Sequence, residues 1–272
     1  MNYLPKNLNF KEGIAYIGET SLTDVAKNYG TPLYVYDWEH LKGNIDAFTE
    51  AFGKDALFRY AAKAFISKAL VKELDEKGWG IDVVSGGEMA TVQETVGTLE
   101  NTVFNGTFKR TDEIEYFIQN NGGHISIDNR YEIEMLEKAA SSLKKKQPVI
   151  MRINLDVGAE THPMVLTSGY DQQFGISISF AEEALNQIAS SKSLLFSGIH
   201  VHIGSQIKDP ERYKLAMSSC SEFMNSNLEK VEGEAVFNAG GGFFSPYAGE
   251  EVDHELSVYS KAIHDGIKEH WG

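Results

Sequence analysis

Lys63 follows the small and apolar run Tyr60-Ala61-Ala62. An amine in such surroundings serves either as an ion-paired or snorkelling side chain or as a nucleophile that captures a carbonyl. If Leu57 to Lys63 is a strand, then Leu57, Arg59, Ala61 and Lys63 share one face, and the lysine projects where Leu57 projects. Gly240-Gly241-Gly242 closes another apolar run; its backbone N–H groups suit close approach to a phosphate, although a glycine run is also an ordinary turn. In His200-Val201-His202 both imidazoles fall on one strand face, as two metal ligands would, or as a ring set against a flat cofactor would. Asp82 and Glu88 offer carboxylates, but no cysteine or histidine spacing of a zinc motif accompanies them, so no metal is expected. His162, between Thr161 and Pro163, lies in the long loop Gly158 to Ser168, where solvent exposure is the default.

These residues collect where short apolar runs end. The runs read as strands at Leu57 to Lys63, Ile81 to Ser85, Thr102 to Asn105, His124 to Asp128, Val149 to Leu155, Gly198 to Ile203 and Ala235 to Ala239. Helical periodicity follows at Glu113 to Asn120, Tyr131 to Lys145, Phe180 to Ala189, Glu211 to Lys230 and His254 to His270. Alternating βα units specify a parallel sheet of α/β class. In a barrel, the strand ends that carry Lys63, Asp82, Asn105, Arg152, His202, Ser205 and Gly240 to Gly242 share the face that hosts active sites. Residues 8 to 17 read as a strand, Ser21 to Tyr29 as a capped helix and Leu33 to Tyr36 as a strand, forming a lead-in over residues 1–36, and Trp38 to Phe52 reads as the helix that follows it. The barrel region is residues 37–272. Its seven strands are one short of a (β/α)8 barrel unless Leu33 to Tyr36 is the eighth, and the favoured reading is an incomplete barrel.

The chain carries 39 acidic and 25 basic residues, a net charge of -14, and no basic patch, which disfavours nucleic acid and anionic lipid as partners. No run of about 18 apolar residues and no basic, then apolar, leader appears, so a cytoplasmic protein is expected. The one cysteine, Cys220, has no intrachain partner, and its spacing from Met217 and Met224 places it on a buried helix face.

In order, Tyr60-Ala61-Ala62-Lys63-Ala64, Asp82-Val83-Val84-Ser85-Gly86-Gly87-Glu88, Arg152-Ile153-Asn154, His200-Val201-His202-Ile203-Gly204-Ser205-Gln206 and Asn238-Ala239-Gly240-Gly241-Gly242-Phe243 resemble the diaminopimelate, ornithine and arginine decarboxylase family. The resemblance implies an alanine-racemase-like barrel that holds pyridoxal 5'-phosphate. Lys63 would carry the cofactor, His202 would stack on its ring, Ser205 and Gly240 to Gly242 would hold its phosphate, and Arg152 would lie near the ring oxygen, with Asp82 and Glu88 beside Lys63 and His202. Ser85 to Glu88, His200 to Gln206 and the Thr161-His162 loop favour the diaminopimelate branch. The implied activity is then decarboxylation of meso-diaminopimelate to lysine. Decarboxylation of ornithine, arginine or lysine, or cofactor binding without catalysis, remain the alternatives. Phe65, Thr107, Phe108 and Gln173 depart from the family pattern. The resemblance also implies a continuation past Gly272, namely a strand with Glu-Pro-Gly-Arg and a β domain that completes the partner's site in a homodimer.

Overall fold

The computed structural model describes residues 7–155, 174–246 and 255–271. Internal contacts divide the chain into two units, one of residues 1–56 with 244–260 and one of residues 57–243 with 261–272.

In the first unit β1 (Leu8–Lys11) and β2 (Ile14–Ile17) pair antiparallel, and β3 (Thr20–Ser21) pairs with β2. The single strand expected over residues 8 to 17 is therefore a hairpin. Its turn is Glu12-Gly13, both at positive φ (50° and 79°), the pattern of a turn whose twist matches the strands it joins. Ser21 caps α1 (Leu22–Tyr29) by accepting from the Asp24 N–H, and Asp37 caps α2 (Trp38–Phe52) by accepting from the His40 N–H. Leu33 to Tyr36, expected as a strand, forms none. A strand exists only through pairing, and these four side chains stand exposed, Tyr34 at 91%.

The second unit is the parallel sheet that the βα alternation predicts. Its strands are β4 (Arg59–Ala61), β5 (Gly80–Val83), β6 (Thr102–Phe104), β7 (His124–Ile127), β8 (Gln147–Asn154), β10 (Leu194–His200) and β11 (Val236–Asn238). They are hydrogen-bonded in chain order from β4 to β11, with the short β9 (Ile176–Ser177) attached to β8 alone. The helices between them are α3 (Lys68–Glu76), α4 (Gly86–Val96), α5 (Thr111–Gln119), α6 (Arg130–Ser142), α7 (Ile178–Ala189) and α8 (Glu211–Asn225). Helix α9 (Leu256–Lys268) follows β11, and its last turns belong to this unit. Among the described residues β4 and β11 each pair on one side only, so no eighth parallel strand joins the seven.

Strands covered on both faces read as almost continuous apolar runs, and here Val83, Phe104, Ile125, Ile127, Val149, Met151 and Ile199 are fully buried. Helices add Leu70 and Leu74, Ile114 and Phe117, and Leu136 to the same core. Cys220, Met217 and Met224 are buried together on α8, as their spacing requires. No helix among the described residues is long and apolar enough to cross a membrane.

Candidate active site

The first strand is shorter than its sequence suggests. It ends at Ala61, and Ala62, Lys63 and Ala64 form a 3-10 turn. Side chains then rotate by a third of a turn per residue instead of alternating, so Lys63 does not continue the strand face expected to run from Leu57. Ala62 is the residue that turns inward, at 2% exposure, while Lys63 is exposed at the strand end. An amine there keeps its hydration and remains available to a reagent from solvent.

Asp82 lies one residue before the end of β5, paired in register with Ala61 on one side and Val103 on the other. Loss of solvent raises its carboxyl from 3.8 to about 6. The Asn105 Nδ2, donating to Asp82 Oδ2 at 3.1 Å, and the Lys63 and Arg152 charges oppose that rise, whereas Glu88 adds to it. Glu88 itself accepts from the Val84 N–H at 2.6 Å and, with Ser85 as cap, secures the start of α4.

Two ion pairs occupy the next strand ends. Arg152 Nη1 meets Asp128 Oδ1 at 3.0 Å, and Lys109 Nζ meets Glu132 Oε2 at 2.9 Å with both side chains almost wholly buried. Glu132 Oε2 also accepts from the Asp128 N–H at 2.9 Å, so one carboxylate oxygen fixes the backbone that presents Asp128 to Arg152. Arg152 lies 5.1 Å from the centre of the Phe174 ring. Burial favours the neutral forms of both Lys109 and Glu132, lowering the one and raising the other, and their mutual attraction with two further hydrogen bonds opposes it.

His200 is paired in register with Arg152 and with Asn238, and its Nδ1 lies 3.0 Å from Ser126 Oγ in the sheet interior. Burial first, then the Arg152 charge, holds it far below the usual imidazole range, so it is neutral. His202, past the end of β10, is lowered to about 4 by burial, with Lys63 and Arg152 adding to the shift. Its Nδ1 lies 3.5 Å from the Gly241 N–H, the outer limit of a hydrogen bond.

The glycine run divides by role. A Cβ at Gly240 (φ 70°) would stand 2.4 Å from the Val201 carbonyl, and one at Gly242 (φ 93°) 1.9 Å from the Gly204 carbonyl. Those two glycines let the turn after β11 close against the turn after β10. Gly241 has open space where a side chain would be, and its carbonyl accepts from the Tyr213 hydroxyl at 3.0 Å. Ser205 is exposed on the turn opposite. An accessible amine, a neutral imidazole, a weakly engaged backbone N–H in a turn with room beside it, a hydroxyl and a guanidinium make a donor set that suits a flat, anionic aldehyde.

Sequence reasoning named Lys63, Asp82, Arg152, His202, Ser205 and Gly240 to Gly242, and all of these lie at the C-terminal ends of the parallel strands or in the turns that follow. Lys63 and Arg152 both act electrostatically on Asp82 and on His202. His162 and Gln173 lie outside the described residues. Ser126, Asp128, Lys109 and Glu132 were missed as a group. Asn129 and Glu132 have the spacing of a helix cap and its partner, which hides that Glu132 serves Lys109 instead. A cavity of about 580 Å³ opens beside that pair, with Phe108 and Tyr131 on its lining and neither Lys63 nor His202 among them.

Residues 39–272 match the family model described as pyridoxal-dependent decarboxylase, pyridoxal binding domain. Diaminopimelate decarboxylase of Aquifex aeolicus is 32% identical over 264 residues, 96% of this chain and 63% of that relative. Diaminopimelate decarboxylase of Zymomonas mobilis is 36% identical over 262 residues, 94% of this chain and 62% of that relative. The crystal structure of diaminopimelate decarboxylase from M. jannaschii is similar at a TM-score of 0.87 and 28% identity, covering 97% of this chain and 63% of that one. A second structure of it, in complex with L-lysine, gives a TM-score of 0.85. The chain thus spans a little over three fifths of the length of these relatives.

Proposed function

Because the chain belongs to the pyridoxal-dependent decarboxylases through their pyridoxal-binding domain, we propose that it carries the cofactor site of an enzyme that decarboxylates meso-diaminopimelate to L-lysine and carbon dioxide. The observation that carries this reading is the convergence of an accessible lysine amine, a neutral imidazole and an open glycine turn on one end of a parallel sheet. The diaminopimelate decarboxylase relatives supply the substrate.

Bound here, pyridoxal phosphate would supply an electron sink for the electron pair left when carbon dioxide departs. Lys63 would hold the cofactor's aldehyde carbon and yield it to the substrate amine. Ser205 and the N–H groups of Gly240 to Gly242 would bind the phosphate, and Arg152, anchored by Asp128, would face the ring oxygen. His202 is uncharged at neutral pH, so it would orient the ring by its flat surface without adding a cation beside Lys63 and Arg152. Asp82 would hold a proton at its carboxyl next to Lys63 as the amine changes partners. A cytoplasmic homodimer acting on a small amino acid, with no nucleic-acid or membrane partner, completes the reading.

The test is an absorbance titration of the purified chain with pyridoxal phosphate, followed by borohydride and peptide mass mapping, with Lys63→Ala as control. Visible absorbance, with the cofactor's mass trapped on Lys63 and lost in the variant, is the expected result. A folded chain that traps nothing on Lys63 would overturn the cofactor assignment. Release of carbon dioxide from ornithine, arginine or lysine in preference to diaminopimelate would overturn the substrate.

A further inference from the structure

Asn105 has no part in the assignments above, yet its side chain is fully committed. It sits just past β6 at 9% exposure. Its Oδ1 accepts from the Gly106 N–H at 2.9 Å, which decides which way the amide faces, and the opposite end, Nδ2, then donates to Asp82 Oδ2 at 3.1 Å. An amide locked at one end by a turn can only be a donor at the other, so it stabilises the carboxylate and not the acid.

We infer that Asn105 is a positioning residue of this site, whose locked amide aims the Asp82 carboxyl and sets how readily it gives up its proton beside Lys63. The inference rests on the proposed function for its purpose but not for its physics. Among the groups that bear on Asp82, Lys63 from the turn after β4 and Arg152 from β8 favour the ionised form, and Glu88 from α4 opposes it. Each acts through space; the Asn105 hydrogen bond is the strongest influence holding the titration down. Without it, burial acts with less opposition, and Asp82 keeps its proton to higher pH.

The direct readout is the 13C shift of the Asp82 carboxyl against pH, assigned with Asp82→Asn, in the chain without cofactor. Two variants are compared with the parent. Asn105→Asp keeps the oxygen that the Gly106 N–H needs but replaces the donor by an acceptor, and Asn105→Leu removes both. The parent should titrate near 6, and each folded variant should titrate at least about one pH unit higher. An unchanged midpoint in either folded variant overturns the inference, because a merely structural asparagine would leave the carboxyl's titration alone. If one variant fails to fold, the other decides. Borohydride trapping at Lys63, measured on the same samples, reports separately on the cofactor assignment, so failure of one reading is distinguishable from failure of the other.

Discussion

Asp82→Asn should make the chain more stable at neutral pH while impairing the site. The carboxyl titrates at 3.8 in an unperturbed setting and at about 6 in the fold. A carboxyl with a raised folded pKa binds its proton more tightly in the folded chain. Its contribution to stability is therefore fully present below 3.8 and is lost as the pH rises towards 6. Integrating the two titrations gives a loss of about 2 kcal/mol between about pH 4.5 and pH 8, most of it complete by about pH 6. Asparagine has the same shape and can still accept from Asn105 Nδ2, so the variant keeps the packing and loses the pH dependence. Urea unfolding curves of parent and variant at both pH values yield the difference of differences, in which all other titrating groups cancel to first order. The variant should gain about 2 kcal/mol on the parent as the pH is raised across that window. A parent and variant whose stabilities change in parallel with pH would refute the claim that burial raises the titration of Asp82, whatever the activity of either.

The buried pair and the glycine turn give two further expectations. Lys109→Met strands the Glu132 carboxylate in the core and should cost about 3–5 kcal/mol, most of it recovered when Glu132→Leu is added, as read from urea midpoints of a double-mutant cycle. A single variant no less stable than the parent would mean the pair is not charged. Gly242→Ala forces a methyl against the Gly204 carbonyl at a positive φ and should cost more than about 2 kcal/mol, whereas Gly241→Ala points into open space and should change stability by less than about 0.5 kcal/mol. Gly241→Ala should instead weaken pyridoxal phosphate binding in the absorbance titration, and equal stability losses at both positions would contradict the division of roles.

Much of this protein was legible without coordinates because parallel strands buried on both faces leave apolar runs, and their ends leave polar residues and glycines. All seven sheet strands, and the placement of Lys63, Asp82, Arg152, His202, Ser205 and Gly240 to Gly242 at or just past their ends, follow from that one regularity. Where the reading failed, the deciding quantity was pairing or contact. Leu33 to Tyr36 has strand composition but no strand beside it, and residues 8 to 17 split into a hairpin because Glu12 and Gly13 take positive φ. Periodicity is a local property, so it could not tell that β4 stops at Ala61 and that Lys63 leaves the strand on a 3-10 turn.

Residue types and their order alone determined that an amine, an imidazole, carboxylates and a glycine turn would lie at the strand ends of one sheet. Only the tertiary structure decided their states. Burial and neighbouring cations leave His202 neutral, burial against an asparagine donor poises Asp82 near 6, and contact between two turns distinguishes Gly241 from the glycines on either side. Each of these depends on distances between residues far apart in the chain, and electrostatic and steric energies are functions of those distances, which a one-dimensional sequence does not contain.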